Sequence, residues 1–106
     1  MDTCIWPLGN GETLKFGIFD FYDTTWTHSA GLYIFAYNDG DHWYALYVGQ
    51  TNDFSLRIPH HERWDEARRN GATAVHSVVV SQAANRDRLE KMLIQHLHPP
   101  LNIQQY

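Results

Sequence analysis

Two β-prone runs, LYIFAYN (residues 32–38) and HWYALYVG (residues 42–49), flank the turn-forming trio Asp39, Gly40 and Asp41. Aromatic and β-branched side chains suit a pleated, half-buried surface, and Asp-Gly supplies the positive φ that a tight reversal needs. The pair predicts a β-hairpin starting near Gly31, with its loop register left open. No other feature constrains the fold as much, because a hairpin of this kind needs a sheet to extend it and helices to cover it.

The rest of the chain supplies both. Residues 53–70 read as helical, with Asp53 or Ser55 as the cap and Gly71 as the stop. Pro59 should kink that helix or split it in two. TAVHSVVVS (residues 73–81) is β-branched and reads as a third strand, after which Ser81 can cap a helix running through His96. Leu89, Met92, Leu93, His96 and Leu97 share one face of that helix by the i, i+3, i+4, i+7 rule, and His98, Pro99 and Pro100 end it. The order strand, strand, helix, strand, helix predicts an α+β fold, a small three-stranded antiparallel sheet flanked by helices. Residues 1–30 form an N-terminal extension, broken at Pro7, Gly9 and Gly11, whose TLKFGIFDFY (residues 13–22) can add a strand. If it does not fold back, Phe19, Phe21 and Tyr22 would offer an aromatic dimer edge.

A chain of 106 residues with 43% hydrophobic and 14% aromatic content closes one core. The single cysteine, Cys4, excludes an internal disulfide and any multi-cysteine zinc site, and the seven histidines lack zinc-ligand spacing. No run approaches a membrane span, and the acidic start is unlike a signal peptide, so the expected setting is cytoplasmic, with no membrane partner. The formal net charge is −4, unevenly placed. Residues 1–56 hold Lys15 against seven acidic residues, whereas residues 57–106 hold seven basic against five acidic. A locally positive face can therefore form only in the second half.

Five side chains stand out for chemistry. Tyr33 and Tyr47 sit on the two hairpin strands, Arg57 and His61 lie one turn apart on a regular helix, and Glu90 sits on the last helix. Phosphodiester cleavage needs a base to make a nucleophile, a cation to take the phosphorane's charge, and help for the leaving oxygen. A single carboxylate with waters can hold magnesium, so a lone glutamate suffices for a metal. His60 competes with His61, because a kink at Pro59 could turn either one inward. Trp43, Tyr44 and Trp64 read as core aromatics before base-stacking ones.

The ordered pattern resembles the GIY-YIG nuclease domain. Gly31-Leu32-Tyr33 and Tyr47-Val48-Gly49 match the two halves of its signature, with conservative aliphatic changes at each middle position. Arg57, ten residues after the second tyrosine, matches the family arginine; His61 matches the histidine of homing-type members; Glu90 matches the metal-binding glutamate. Pro99 and Asn102 fall on the P-x-x-N pattern that ends the domain in excision-repair and homing members. The similarity covers residues 31–102, which assigns residues 31–106 to a nuclease domain.

The resemblance implies a metal-dependent endonuclease acting on nucleic acid, DNA ahead of RNA, with one magnesium ion, or manganese in its place, on Glu90. It implies catalytic roles for Tyr33, Tyr47, Arg57, His61, Glu90 and Asn102. Tyr33 or His61 would be the base and Arg57 the clamp for the phosphorane. Asn102 would fasten the chain end or hydrogen-bond near Glu90. No appended DNA-binding module is recognisable, so specificity would come from the extension, self-association or a protein partner. The alternative is a catalytically silent module that binds proteins or nucleic-acid structures.

Overall fold

The computed structural model describes residues 2–102. Its elements run β1 (Thr3–Pro7), β2 (Thr13–Asp20), β3 (Gly31–Asn38), β4 (Trp43–Thr51), α1 (Phe54–Arg57), a 3₁₀ turn (Ile58–His60), α2 (Trp64–Arg69), β5 (Ala74–Val79) and α3 (Ala83–Leu97). The hairpin, the strand near residue 75 and the last helix stand where the sequence places them, and the class is α+β. The sheet, however, has five antiparallel strands in the order β1-β2-β5-β3-β4, not three. The extension contributes a whole hairpin: β1 pairs with β2, and β2 then takes the free edge of β5 through the register Gly17↔Ser77 to Asp20↔Ala74. Extra strands satisfy backbone groups that a three-stranded sheet would leave open on that side. Phe21 is accordingly buried and Phe19 packs on Trp26, which leaves only Tyr22 of the supposed dimer edge exposed.

Alternation along β3 decides what each face does. Tyr33 and Phe35 join a cluster with Phe21, Tyr47, Phe54, Ile58, Ala67 and Val75 under α1 and α2. Leu32, Ile34 and Ala36 join Trp6, Phe16 and Val48 beneath Leu89 and Leu93 of α3. A central strand covered on both sides must be apolar at every position, and each such side chain contributes ~1.5–3 kcal/mol on burial. A bulge between Phe35 and Ala36 lets Phe35 pair with Tyr47 while Ala36 pairs with Ala45, placing the second tyrosine on the Tyr33 face.

The helical segment divides at Pro59, which has no N–H to continue the ladder. Asp53, not Ser55, is the cap, accepting from Ser55 N–H at 2.9 Å. The one-turn spacing assumed for Arg57 and His61 therefore does not apply: Arg57 closes α1, and His61 follows the 3₁₀ turn in an extended conformation. At α3 the cap is Gln82, not Ser81, and its side chain makes no capping bond. The inner face is Arg86, Leu89 and Leu93, while His96 is exposed. Arg86 is buried because its guanidinium donates to the carbonyls of Val80 and Ser81, tying the helix start to the end of β5. Beyond α3, where His98 adopts the left-handed conformation, the chain turns back onto the outer edge of β4, and Leu101 N–H donates to Leu46 C=O at 3.0 Å. Among the described residues, no helix is long and apolar enough to cross a membrane.

Candidate active site

The hairpin register sets the site's floor. Tyr33 lies directly across from Gly49, and a Cβ built on Gly49 would sit 2.4 Å from the Tyr33 hydroxyl. Gly49 lies within β4, where its missing side chain makes room for the phenol. Tyr33 thus reaches across its neighbour strand and is buried, the residue as a whole 1% exposed.

His61 completes this corner. Its ring stands nearly perpendicular to those of Tyr33, Phe35 and Tyr47, at centroid distances of 5.5, 4.9 and 4.9 Å. The Arg63 backbone N–H donates to Nδ1 at 2.9 Å, so Nδ1 carries no proton and the neutral ring holds its hydrogen on Nε2. Nε2 lies 2.8 Å from the Tyr33 oxygen and donates to it. Burial first, and the Arg57 charge second, push the His61 imidazole down to about 4, in keeping with the neutral form. Burial and Tyr47 push the Tyr33 hydroxyl above its ordinary range, while Arg57 pulls it down. Of the two competing histidines, His61 points inward and His60 is exposed.

Arg57 faces the same phenol from the end of α1 and grips Glu62, a residue the sequence reading overlooked. Its Nη1 and Nη2 donate to Glu62 Oε2 and Oε1 at 2.6 and 2.8 Å. These bonds hold the Glu62 carboxyl down at about 2 and raise Arg57 further above its already high range. Glu62 carries no family signature and follows a motif residue, so only the fold reveals the pairing.

Glu90 and Asn102 stand apart from this corner. Gln50 follows Gly49 along β4 and so points to the opposite face, where its amide donates to Asp87 Oδ1 and to Glu90 Oε1 at 3.2 Å. Burial, with a smaller push from Asp87, raises the Glu90 carboxyl, while Gln50 lowers it. Two carboxylates one helical turn apart, one of them half-buried, form a hard oxygen donor set whose anionic form a divalent cation would favour, which fits magnesium. The groove beside them, bounded by Lys91, Ile94 and Gln95, has a volume of about 530 Å³. The Asn102 amide bonds to Val48 and not to Glu90. Its amide accepts from Val48 N–H at 2.8 Å and donates to Val48 C=O at 2.9 Å, acting as a short strand on the open edge of β4.

The structure therefore brings Tyr33, Tyr47, Arg57 and His61 together on one face, sets Glu90 across β4 from them, and uses Asn102 as a fastener. The fold is similar to that of the GIY-YIG nuclease domain, a likeness that solved structures support. No protein-family model and no curated protein sequence matches the chain. Among solved structures it is similar to the GIY-YIG N-terminal endonuclease domain of UvrC from Thermotoga maritima bound to its catalytic divalent cation, magnesium: TM-score 0.58, 25% identity, over 72% of this chain and 85% of that one. A point mutant of the same domain, also with its catalytic divalent cation, aligns with TM-score 0.58 and 25% identity over 72% and 84%.

Proposed function

We propose that the protein is an endonuclease that hydrolyses nucleic-acid phosphodiesters, DNA in the first place, with a divalent metal. The observation that carries this reading is the meeting of a phenol, a neutral imidazole and a guanidinium at one point on the Tyr33 face. Tyr33 would take the proton from the attacking water as a phenolate, its own proton having first left to bulk water against the burial that raises the hydroxyl and with the help of Arg57, which lowers it. His61 cannot accept the phenol's own proton, because the nitrogen it turns to Tyr33 already carries hydrogen. It serves instead as an N–H donor to the phenolate oxygen that has to form before the water is deprotonated, a task for which a neutral ring costs no proton uptake. Arg57 would clamp the phosphoryl oxygens with its planar fork. Tyr47 walls the imidazole and fixes its angle. Asn102 is a positioning residue, since it holds the β4 backbone that carries Tyr47, Gly49 and Gln50.

Glu90 would hold magnesium, or manganese in its place, with Gln50 fixing its carboxylate. A divalent ion bound there supplies charge stabilisation for phosphoryl oxygens and lowers the pKa of a bound water.

A second reading, a silent binding module, is favoured by the burial of Tyr33 and by Arg57 already having a partner. Either way, partner specificity would come from self-association or another protein. Supercoiled plasmid at low salt, with magnesium or chelator, separates the two. Nicking that requires magnesium and disappears in Glu90→Ala supports the nuclease. Absence of cleavage of plasmid, single strands, branched DNA and RNA supports the binding module.

A further inference from the structure

The cleavage roles above leave Glu62 without a task, although it makes a bidentate contact with Arg57. Its carboxylate spans Nη1 and Nη2, the outer edge of a planar fork whose donor spacing matches the two oxygens of a carboxylate and, equally, the two non-bridging oxygens of a phosphodiester. The edge cannot serve both at once. Arg57 is therefore occupied in the free protein by a group with the charge and bite of the substrate.

The location favours exchange. Glu62 lies in the irregular link between the 3₁₀ turn and α2, and its side chain is 62% exposed, against 35% for Arg57. Swinging it away unpacks no core side chain and breaks a pair that water screens, the kind whose net strength is small. It also stands 3.9 Å from His61 Nδ1 and is among the charges that raise the Tyr33 hydroxyl, so its removal acts on the same corner.

We propose that Glu62 is a built-in substrate mimic, holding the guanidinium edge of Arg57 until a phosphodiester displaces it. The proposal rests on the reading of Arg57 as the phosphate clamp. Glu62 then keeps the clamp extended and oriented, and screens the site against ligands that cannot present two oxygens together. Its cost is affinity, because every binding event must first expel a carboxylate.

Two probes test this, both in chelator so that no cleavage occurs. The first is the Kd of a fluorescent DNA duplex for wild type, Glu62→Gln, Arg57→Ala and the double variant. Mimicry predicts that Glu62→Gln tightens binding about three- to fivefold, and that the same change in the Arg57→Ala background alters it by less than about twofold. An equal gain in both backgrounds would reduce Glu62 to general charge repulsion, and weaker binding by Glu62→Gln would make it only an orienting partner; either overturns the proposal. The second probe is inorganic phosphate, followed on the Arg57 Nε–H NMR signal. Saturable shifts at lower phosphate in Glu62→Gln than in wild type support mimicry without requiring any nucleic acid, and identical titrations refute it. A protein that never cleaves DNA but shows the phosphate effect would fail as a nuclease and keep the mimic. One that cleaves DNA but shows neither effect would do the reverse.

Discussion

Two histidines are buried on opposite faces of the same sheet, and comparing them separates burial from function. His61 is 5% exposed and His76 is 0% exposed. Desolvation depresses both to about 4, so both are neutral in the fold. Their partners differ. His61 has each nitrogen engaged, one by backbone and one by the Tyr33 oxygen, with Arg57 and Glu62 close by. His76, in β5, accepts from Trp6 Nε1–H at 2.9 Å, and its Nε2 has no hydrogen-bond partner among the described residues. The Trp43 ring stands 4.5 Å away at 74°, a geometry in which a ring N–H can face an indole. His76 thus links β5 to β1 as an aromatic core residue, while His61 belongs to a polar corner. A depressed histidine marks a site only when its hydrogen bonds lead to other reactive groups.

The sharpest break in that symmetry is a matched pair of substitutions. His61→Leu should lower DNA cleavage by about 10²–10³-fold, as expected for removal of a donor that holds the phenolate form of Tyr33. His76→Leu should leave the cleavage rate within about twofold while changing the melting temperature. Comparable losses in both would mean that His61 acts through packing alone.

The next effect belongs to the floor of the site. Gly49→Ala would place a methyl on the Tyr33 hydroxyl. Cleavage should fall by about 10–100-fold through displacement of the phenol, with ~1–3 kcal/mol of destabilisation in denaturant unfolding. Wild-type cleavage in Gly49→Ala would show that the phenol's position is unimportant.

Asn102→Ala removes both amide bonds to Val48 and should cost ~1–3 kcal/mol, measured by urea unfolding, because it leaves a buried edge unsatisfied. The cleavage rate per folded molecule should fall less than in Gly49→Ala, because Asn102 acts through the backbone.

The smallest effect is on pH dependence. The unfolded chain protonates both imidazoles near ~6.5 and the folded one only near 4, so between these values the unfolded state binds more protons. Stability from these histidines is full above ~6.5 and is lost as the pH falls toward 4. His76→Leu should flatten part of that slope in thermal unfolding, whereas an unchanged slope would show that His76 is accessible to protons in the fold.

The sequence carried the hairpin, the helix break at Pro59 and the four residues that meet on the Tyr33 face, because each rests on local chemistry or on an ordered motif. It did not carry the five-stranded sheet, since pairing of β2 with β5 joins segments nearly 60 residues apart and leaves no local signal. It missed Glu62, Gln50 and Asp87, which are ordinary surface residue types until the fold turns them toward Arg57 and Glu90. It also placed His96 inward on helical periodicity, where Arg86 is the buried residue because two carbonyls at the end of β5 require a donor.

The measurement that bears most directly on the account is magnesium-dependent plasmid cleavage by Tyr33→Phe beside wild type, with circular dichroism to verify folding. The substitution removes one oxygen from the corner and keeps the ring. The account predicts a folded protein whose cleavage is at least about 100-fold slower. Cleavage at the wild-type rate would contradict it and move the chemistry away from the Tyr33 face.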